Sequence, residues 1–103
     1  MAIAKATLTT SPAAVFTATG DTAITVINFC NTAASTDTAI DVYVVPSGDS
    51  ADATTQIINQ QSLVQQNSYI IDSEKYVLET GDAIYAAAND GSIVTAIVST
   101  VAL

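Results

Sequence analysis

Short apolar runs separated by turn-forming residues make up most of the chain. Thr, Val, Ile and Tyr recur within the runs, and Gly, Pro, Asn, Asp and Ser lie between them. This pattern is typical of an all-β domain, and we predict an antiparallel β-sandwich of about eight short strands. The candidate strands are residues 5–10, 14–18, 22–31, 38–45, 55–59, 68–72, 76–79, 83–88 and 92–101.

Two local patterns carry more detail than the rest. Residues 40, 42 and 44 are apolar and alternate with Asp41 and Tyr43, and Pro46 ends this strand because it cannot donate to a central ladder. The sequence Asn-Asp-Gly at residues 89–91 separates two apolar runs, and Gly91 is able to adopt the positive φ of a tight turn. We therefore predict that residues 83–88 and 92–101 pair as a hairpin.

Residues 50–66 fit neither regular pattern well. They are rich in Ala, Gln and Asn and could form a poor helix, although Thr54, Thr55 and the asparagines lower its helix propensity. We favour a short strand at residues 55–59 followed by a polar crossover.

Missing residue types exclude several functions. The chain has no His, Arg or Trp, and its only cations are Lys5 and Lys75. Acid–base chemistry near neutral pH relies mainly on His or on tuned carboxylates and lysines, and phosphate recognition relies on Arg and Lys. We expect a structural or binding protein that is not an enzyme and uses no cofactor. A net charge of -8 also disfavours nucleic acid and anionic lipid, so in a virus particle the chain would lie outside.

Length and composition predict one soluble domain. With 103 residues and few large side chains, the core should consist of small and β-branched residues, with Phe16, Phe29 and some tyrosines as its bulk. Residues 1–11 contain no continuous apolar stretch, so we expect no signal peptide, and no run approaches the ~20 apolar residues of a membrane helix. Cys30 is the single cysteine; we expect a buried inert thiol, with a reactive or intermolecular thiol as the alternative.

Clustered carboxylates suggest a metal site only weakly. Asp49 and Asp52 share a loop, and Asp72 and Glu74 flank Ser73, but the spacing is not that of an EF-hand. Solvated loop charge explains them more simply, so we predict no metal, although a weak calcium site at Asp49 and Asp52 stays open. A glycosidase needs two carboxylates across a cleft, which so short a chain is ill-suited to form.

Some predicted strands are apolar on both faces. Residues 23–27 and 93–98 show this, and a single small sandwich buries only one face of each sheet. A neighbouring subunit is the simplest cover, which predicts a homo-oligomer or a larger assembly. Three tyrosines, Tyr43, Tyr69 and Tyr85, could contact a partner, although cross-strand packing is the alternative for each.

Two blocks of the sequence carry a family resemblance. The first contains VINFCNT at residues 26–32, DVYVVPSG at 41–48 and SAD at 50–52. The second contains YIID at residues 69–72, VL at 77–78, GDAI at 81–84 and SIVTAIVS at 92–99. Together they resemble small virion structural proteins of tailed bacteriophages, of the type found in phages of cyanobacteria.

The resemblance implies a jelly-roll-like sandwich that decorates a phage particle. Its first implication is a capsid cement protein bound to the major capsid protein lattice of the virion, and its second is a tail, fibre or baseplate component. No catalytic residues are implied. We expect a trimer, because capsid lattices offer three-fold positions. Residues 1–11 lie outside the matching blocks and could form an assembly arm separate from the domain at 12–103, with Ile3, Lys5 and Leu8 as contacts.

Overall fold

The computed structural model describes residues 2–72 and 76–103, and within them every regular element is a strand. The nine strands are β1 (Ala2–Thr7), β2 (Ala13–Thr17), β3 (Thr22–Asn31), β4 (Thr38–Val45), β5 (Gln56–Leu63), β6 (Ser68–Ile71), β7 (Tyr76–Leu78), β8 (Ala83–Ala88) and β9 (Val94–Ala102). The prediction of an all-β chain is confirmed, with nine strands where about eight were expected.

The strands form two antiparallel sheets that pack face to face. Sheet A has the order β1-β9-β3-β6, with β7 also pairing with β3, and sheet B has the order β2-β8-β4-β5. The pairs β4–β5, β3–β6, β2–β8 and β1–β9 are nested in the chain, as if one long hairpin had been rolled up. This is the strand order of a jelly roll, which confirms the predicted fold class.

The predicted strand bounds are best where apolar residues dominate. Strands β3, β4 and β8 have the predicted bounds, whereas β1 begins three residues earlier than expected and ends three residues earlier. The segment 50–66 contains no helix, and β5 extends four residues beyond the predicted end, to Leu63.

The predicted hairpin at residues 89–91 is wrong. Strand β8 lies between β2 and β4 in sheet B, and β9 lies between β1 and β3 in sheet A, so the turn joins the two sheets. The backbone N–H of Asn89 donates to the carbonyl of Ala39 (3.0 Å), which fixes the start of the crossing to β4. Positive φ occurs at Ser92 (68°) and not at Gly91. Long-range pairing therefore overrides a turn signal that favours a local hairpin.

The core lies between the sheets and is built from small and β-branched side chains, as predicted. Phe29 is fully buried at its centre, while Phe16 is only partly buried against it. Ala86, Ala88 and Ala96 are also buried in this core, and their small side chains leave room for the larger ones.

One polar side chain within this core joins the two sheets. Asn31, at the end of β3, is fully buried, and its Nδ2 donates to the carbonyls of Thr36 (2.9 Å) and Leu63 (3.0 Å). Its Oδ1 accepts from the backbone N–H of Ala33 (3.0 Å). Because Leu63 ends β5, the amide fixes the loop 32–37 and the edge of sheet B to sheet A.

A carboxylate fastens two turns at the opposite end of β4. Asp82 accepts hydrogen bonds from the backbone N–H of Ser47 (2.8 Å) and of Glu79 (2.9 Å), and these bonds lower its pKa. The two turns approach closely: a Cβ added at Gly81, which has φ of +93°, would lie 2.5 Å from the Ser47 hydroxyl. Glycine is therefore required there by both space and backbone conformation.

Strand β5 keeps its pairing with β4 through an irregular stretch. Asp41 accepts from the backbone N–H of Gln60 (2.8 Å), and from the side-chain amides of Gln60 (3.0 Å) and Gln56 (3.1 Å). Gln60 has φ of +55°, and the register shifts next to Asp41, between Ile40 and Val42. The carboxylate satisfies amides that the bulged ladder leaves unpaired.

The N-terminal segment is part of the sandwich in this structure. Strand β1 pairs along its whole length with β9 of the same chain, and Leu8 is only 2% exposed in the core. Exchange of this strand with a neighbour in an assembly stays a prediction.

We expect Asn31→Ala to lower the free energy of unfolding by about 2–3 kcal/mol. The substitution leaves buried carbonyls and a backbone N–H without their partner, and each costs on the order of 1 kcal/mol or more. Urea denaturation measures the change. The control is Asn67→Ala, because the exposed Asn67 side chain bonds only to the nearby carbonyl of Gln65. Equal effects of the two variants would contradict the bridging role of Asn31.

The two hydrogen bonds that Asp82 accepts from Ser47 and Glu79, which we call the Asp82 clamp, predict a loss of stability in acid. Folding lowers the pKa of the Asp82 carboxyl group from its ordinary value of 3.8. The carboxylate therefore contributes fully to the free energy of unfolding well above pH 3.8, and this contribution disappears as the pH falls through the lower pKa of the folded state. We expect Asp82→Asn to destabilise the protein near pH 7 and to flatten the fall in stability below about pH 4. Thermal unfolding across this range tests it, with Asp21→Asn in an exposed loop as the matched control for charge. An Asp82→Asn profile parallel to that of the wild type would contradict the clamp.

Candidate docking face

The outward side of sheet A is the most unusual surface of the molecule. Side chains of β3 and β9 alternate between buried and partly exposed, so one set enters the core and the other faces away from it. We call the outward set the docking face; its main members are Ile3, Lys5, Val26, Asn28, Cys30, Ile70, Val77 and Ile97.

Strand register places these residues in rows across the sheet. The central row runs Lys5, Ile97, Asn28 and Ile70, from β1 through β9 and β3 to β6. Neighbouring strands lie about 4.8 Å apart, so Asn28 is flanked on both sides by an isoleucine at that spacing.

Large apolar side chains are exposed on this face. The exposed fractions are 72% for Ile3, 65% for Val77, 51% for Ile70 and 37% for Ile97. These four come from four different strands, which the register places side by side in one sheet. An apolar patch of several strands' width marks an interaction site more often than a chance exposure.

Charge is distributed unevenly between the two sheets. None of the five strands of sheet A contains Asp or Glu, and Lys5 is their one charged residue. The described carboxylates lie in loops or turns, except Asp41 in sheet B. The strands of sheet A therefore carry no negative side-chain charge, although the exposed Asp72 directly follows β6.

An orphaned polar atom lies in the middle of this apolar face. Oδ1 of Asn28 is buried and has no hydrogen-bond partner among the described residues. Buried polar atoms are nearly always paired, and one that is not calls for an explanation such as a missing partner.

Cys30 lies on the same face and is only half-buried where a buried thiol was expected, and its inertness stays a prediction. It follows Phe29, whose side chain enters the core, and therefore points outward by strand alternation. A shallow depression of about 490 Å³ borders Lys5, Thr7, Thr95 and Ile97.

Sheet B presents a different outer surface. Tyr43 and Tyr85 lie directly opposite each other on β4 and β8, next to Asp41. Burial raises the pKa of Tyr43, and the charge of Asp41 raises it further. Only 8% of Tyr43 is exposed, so cross-strand packing accounts for it without a partner.

The six predicted contact residues do not form one surface. Ile3 and Lys5 belong to the docking face, Leu8 lies in the core, and Tyr43 and Tyr85 pair on sheet B. Tyr69 faces inward and lines a groove with Ile57, Ile58, Ile71 and Tyr76 at the open side of the sandwich. Sequence reasoning marked β3 and β9 as apolar on both faces, but it did not single out Asn28, Ile70 or Val77.

The loop carboxylates have local structural roles. Asp52 accepts from the backbone N–H of Thr54 (2.9 Å) and from its hydroxyl, and these bonds lower its pKa. No group of three potential metal ligands occurs within residues 2–72 and 76–103. Of the predicted pair Asp72 and Glu74, Asp72 is exposed and Glu74 lies outside the described residues.

Two further findings concern features outside the docking face. No helix in the described ranges is long and apolar enough to cross a membrane. Comparison with family models, curated proteins and solved structures gives no match.

Adjacent residues of β9 test the assignment of its two faces. We expect Val98→Ala, a change within the core, to lower the free energy of unfolding by about 2 kcal/mol. Ile97→Ala, on the docking face, should lower it by less than about 1 kcal/mol, because the side chain is already partly in water. Urea denaturation at low protein concentration measures both. Equal losses would contradict the described orientation of β9.

Proposed function

We propose that this chain is a non-enzymatic structural subunit of a virion, a capsid decoration or cement protein on the outer surface of a tailed-phage head. The docking face is the observation that carries the proposal. A small anionic chain without His or Arg has few means of catalysis, but one of its sheets exposes large apolar side chains and has no carboxylate in its strands. Such a face suits a protein that acts by binding other proteins.

Charge supports a position outside the shell. The net charge of -8 repels packaged nucleic acid, because binding a polyanion requires cations that displace its counterions. On an outer surface the same charge keeps an apolar subunit soluble before it assembles.

Fold supports the proposal only by analogy. Jelly rolls occur in viral capsid proteins, and also in lectins and cupins. Function follows from sites and not from folds, so this analogy carries less weight than the docking face.

A decoration subunit needs contacts with its own copies and with the major capsid protein. The docking face supplies an apolar surface for the first. Strand β1 ends the order of sheet A, so its free edge is suited to strand addition by the shell. Modest affinity at each site suffices, because contacts repeat over the lattice.

Copy number in purified particles tests the proposal. We expect quantitative mass spectrometry of virions from the phage that encodes this chain to find it at high copy number, in a fixed ratio to the major capsid protein. Heads that lack it should lose their DNA at lower temperature than complete heads.

Other results would assign the chain differently. A few copies per particle together with binding to host-surface glycans would indicate a tail, fibre or baseplate component. Absence from particles would contradict a virion role altogether.

A further inference from the structure

We infer that the docking face is covered by a second copy of this chain, in a two-fold pair with Asn28 at its centre. This inference rests on the proposed function in one respect: both treat the outer side of sheet A as a protein-binding surface. It goes further by naming the occupant and the residue on the axis, and it replaces the trimer expected from capsid lattices with a two-fold pair.

Charge selects a second copy as the occupant. Two molecules with a net charge of -8 repel each other through most of their surfaces. The strands of sheet A contain no carboxylate, so two such faces can meet without placing negative charges of their strands together. The contact then removes the exposed apolar side chains of both copies from water. In each copy these are Ile3, Ile70, Val77 and Ile97.

The size of the face suits a dimer. Sheet A has four strand positions, which span about 19 Å at ~4.8 Å each, and the nine residues of β9 extend for about 30 Å. The resulting footprint is about 570 Å², close to the ~600 Å² per partner at the lower end of stable interfaces.

Asn28 makes the face self-complementary. An asparagine side chain carries both an acceptor and two donors, so two of them related by a two-fold axis satisfy each other with reciprocal amide bonds. Packed sheets lie about 10 Å apart, which leaves about 3.5 Å for each side chain and ~3 Å for the hydrogen bond. Oδ1 of Asn28 lacks a partner within one chain and is covered there by its neighbours, so the side chain must turn its amide outward to form these bonds on the axis.

Neighbours of Asn28 fit the same axis. Ile97 and Ile70 lie on either side of Asn28 at equal strand spacing. An axis parallel to β3 therefore places Ile97 of one copy opposite Ile70 of the other, twice. A single polar pair flanked by apolar contacts fixes register, as buried asparagines do in coiled coils.

The test compares oligomeric state in matched variants of the whole chain. By sedimentation velocity over micromolar concentrations, the wild type should be a dimer. Asn28→Asp is nearly isosteric but places two carboxylates on the axis, and should weaken the dimer about 100-fold or more at pH 7. Asn59→Asp makes the same charge change at an exposed position on β5 of sheet B, and should leave the dimer intact.

A second variant keeps the test decisive if Asn28→Asp fails to fold. Ile70→Asp alters an exposed side chain, so the monomer should keep its β-sheet circular dichroism spectrum while the dimer dissociates. A monomeric or trimeric wild type would overturn the two-fold pair, and so would a dimer that survives both substitutions. A chain that is monomeric in solution yet abundant in virions would overturn this inference alone; a dimer absent from virions would overturn only the proposed function.

Discussion

Two packed sheets bury one face each, and this constraint determines what the rest of the molecule presents to its surroundings. The rolled-up hairpin commits the inner faces of both sheets to a core of Phe29, branched side chains and alanines. Sheet B has an outer face that is satisfied locally, with opposed tyrosines and the Asp41 hydrogen bonds. The outer face of sheet A lacks comparable local contacts, because it has exposed isoleucines and an amide oxygen without a hydrogen-bond partner among the described residues. The asymmetry between the two outer faces makes sheet A the surface to which a partner would bind.

The carboxylates explain why this asymmetry is compatible with solubility. They lie almost entirely in loops, and two of the loop carboxylates, Asp82 and Asp52, also accept backbone hydrogen bonds that hold turns in place. The same side chains thus stabilise the loops and contribute to the net negative charge of the molecule. Because like charges repel, the net charge would disfavour association in orientations other than the proposed one, in which the faces of sheet A meet.

Sequence patterns predict this fold well where a strand is apolar and poorly where distant pairing decides the outcome. The bounds of β3, β4 and β8 follow from largely apolar runs that end next to turn-forming residues. The Asn-Asp-Gly turn failed as a hairpin signal because both edges of β8 are occupied by β2 and β4, a fact that no local pattern contains. The predicted length of β5 was too short because its glutamines form hydrogen bonds with Asp41, which lies nineteen residues from Gln60 in the sequence. For the site, apolar character on both faces of β3 and β9 was visible, but the place of Asn28 between Ile97 and Ile70 depends on register.

The two contacts that a decoration protein requires are compatible in this geometry. A two-fold pair uses the broad outer face of sheet A, whereas strand addition uses the narrow edge of β1, and the two surfaces are perpendicular. Covering the face therefore leaves both β1 edges of a dimer free. Leu8 anchors the end of β1 in the core, which would hold that edge in a fixed orientation toward a shell. Pairing through the face and binding through the edge would thus reinforce each other, since two edges on one rigid unit raise the effective concentration of the second contact once the first has formed.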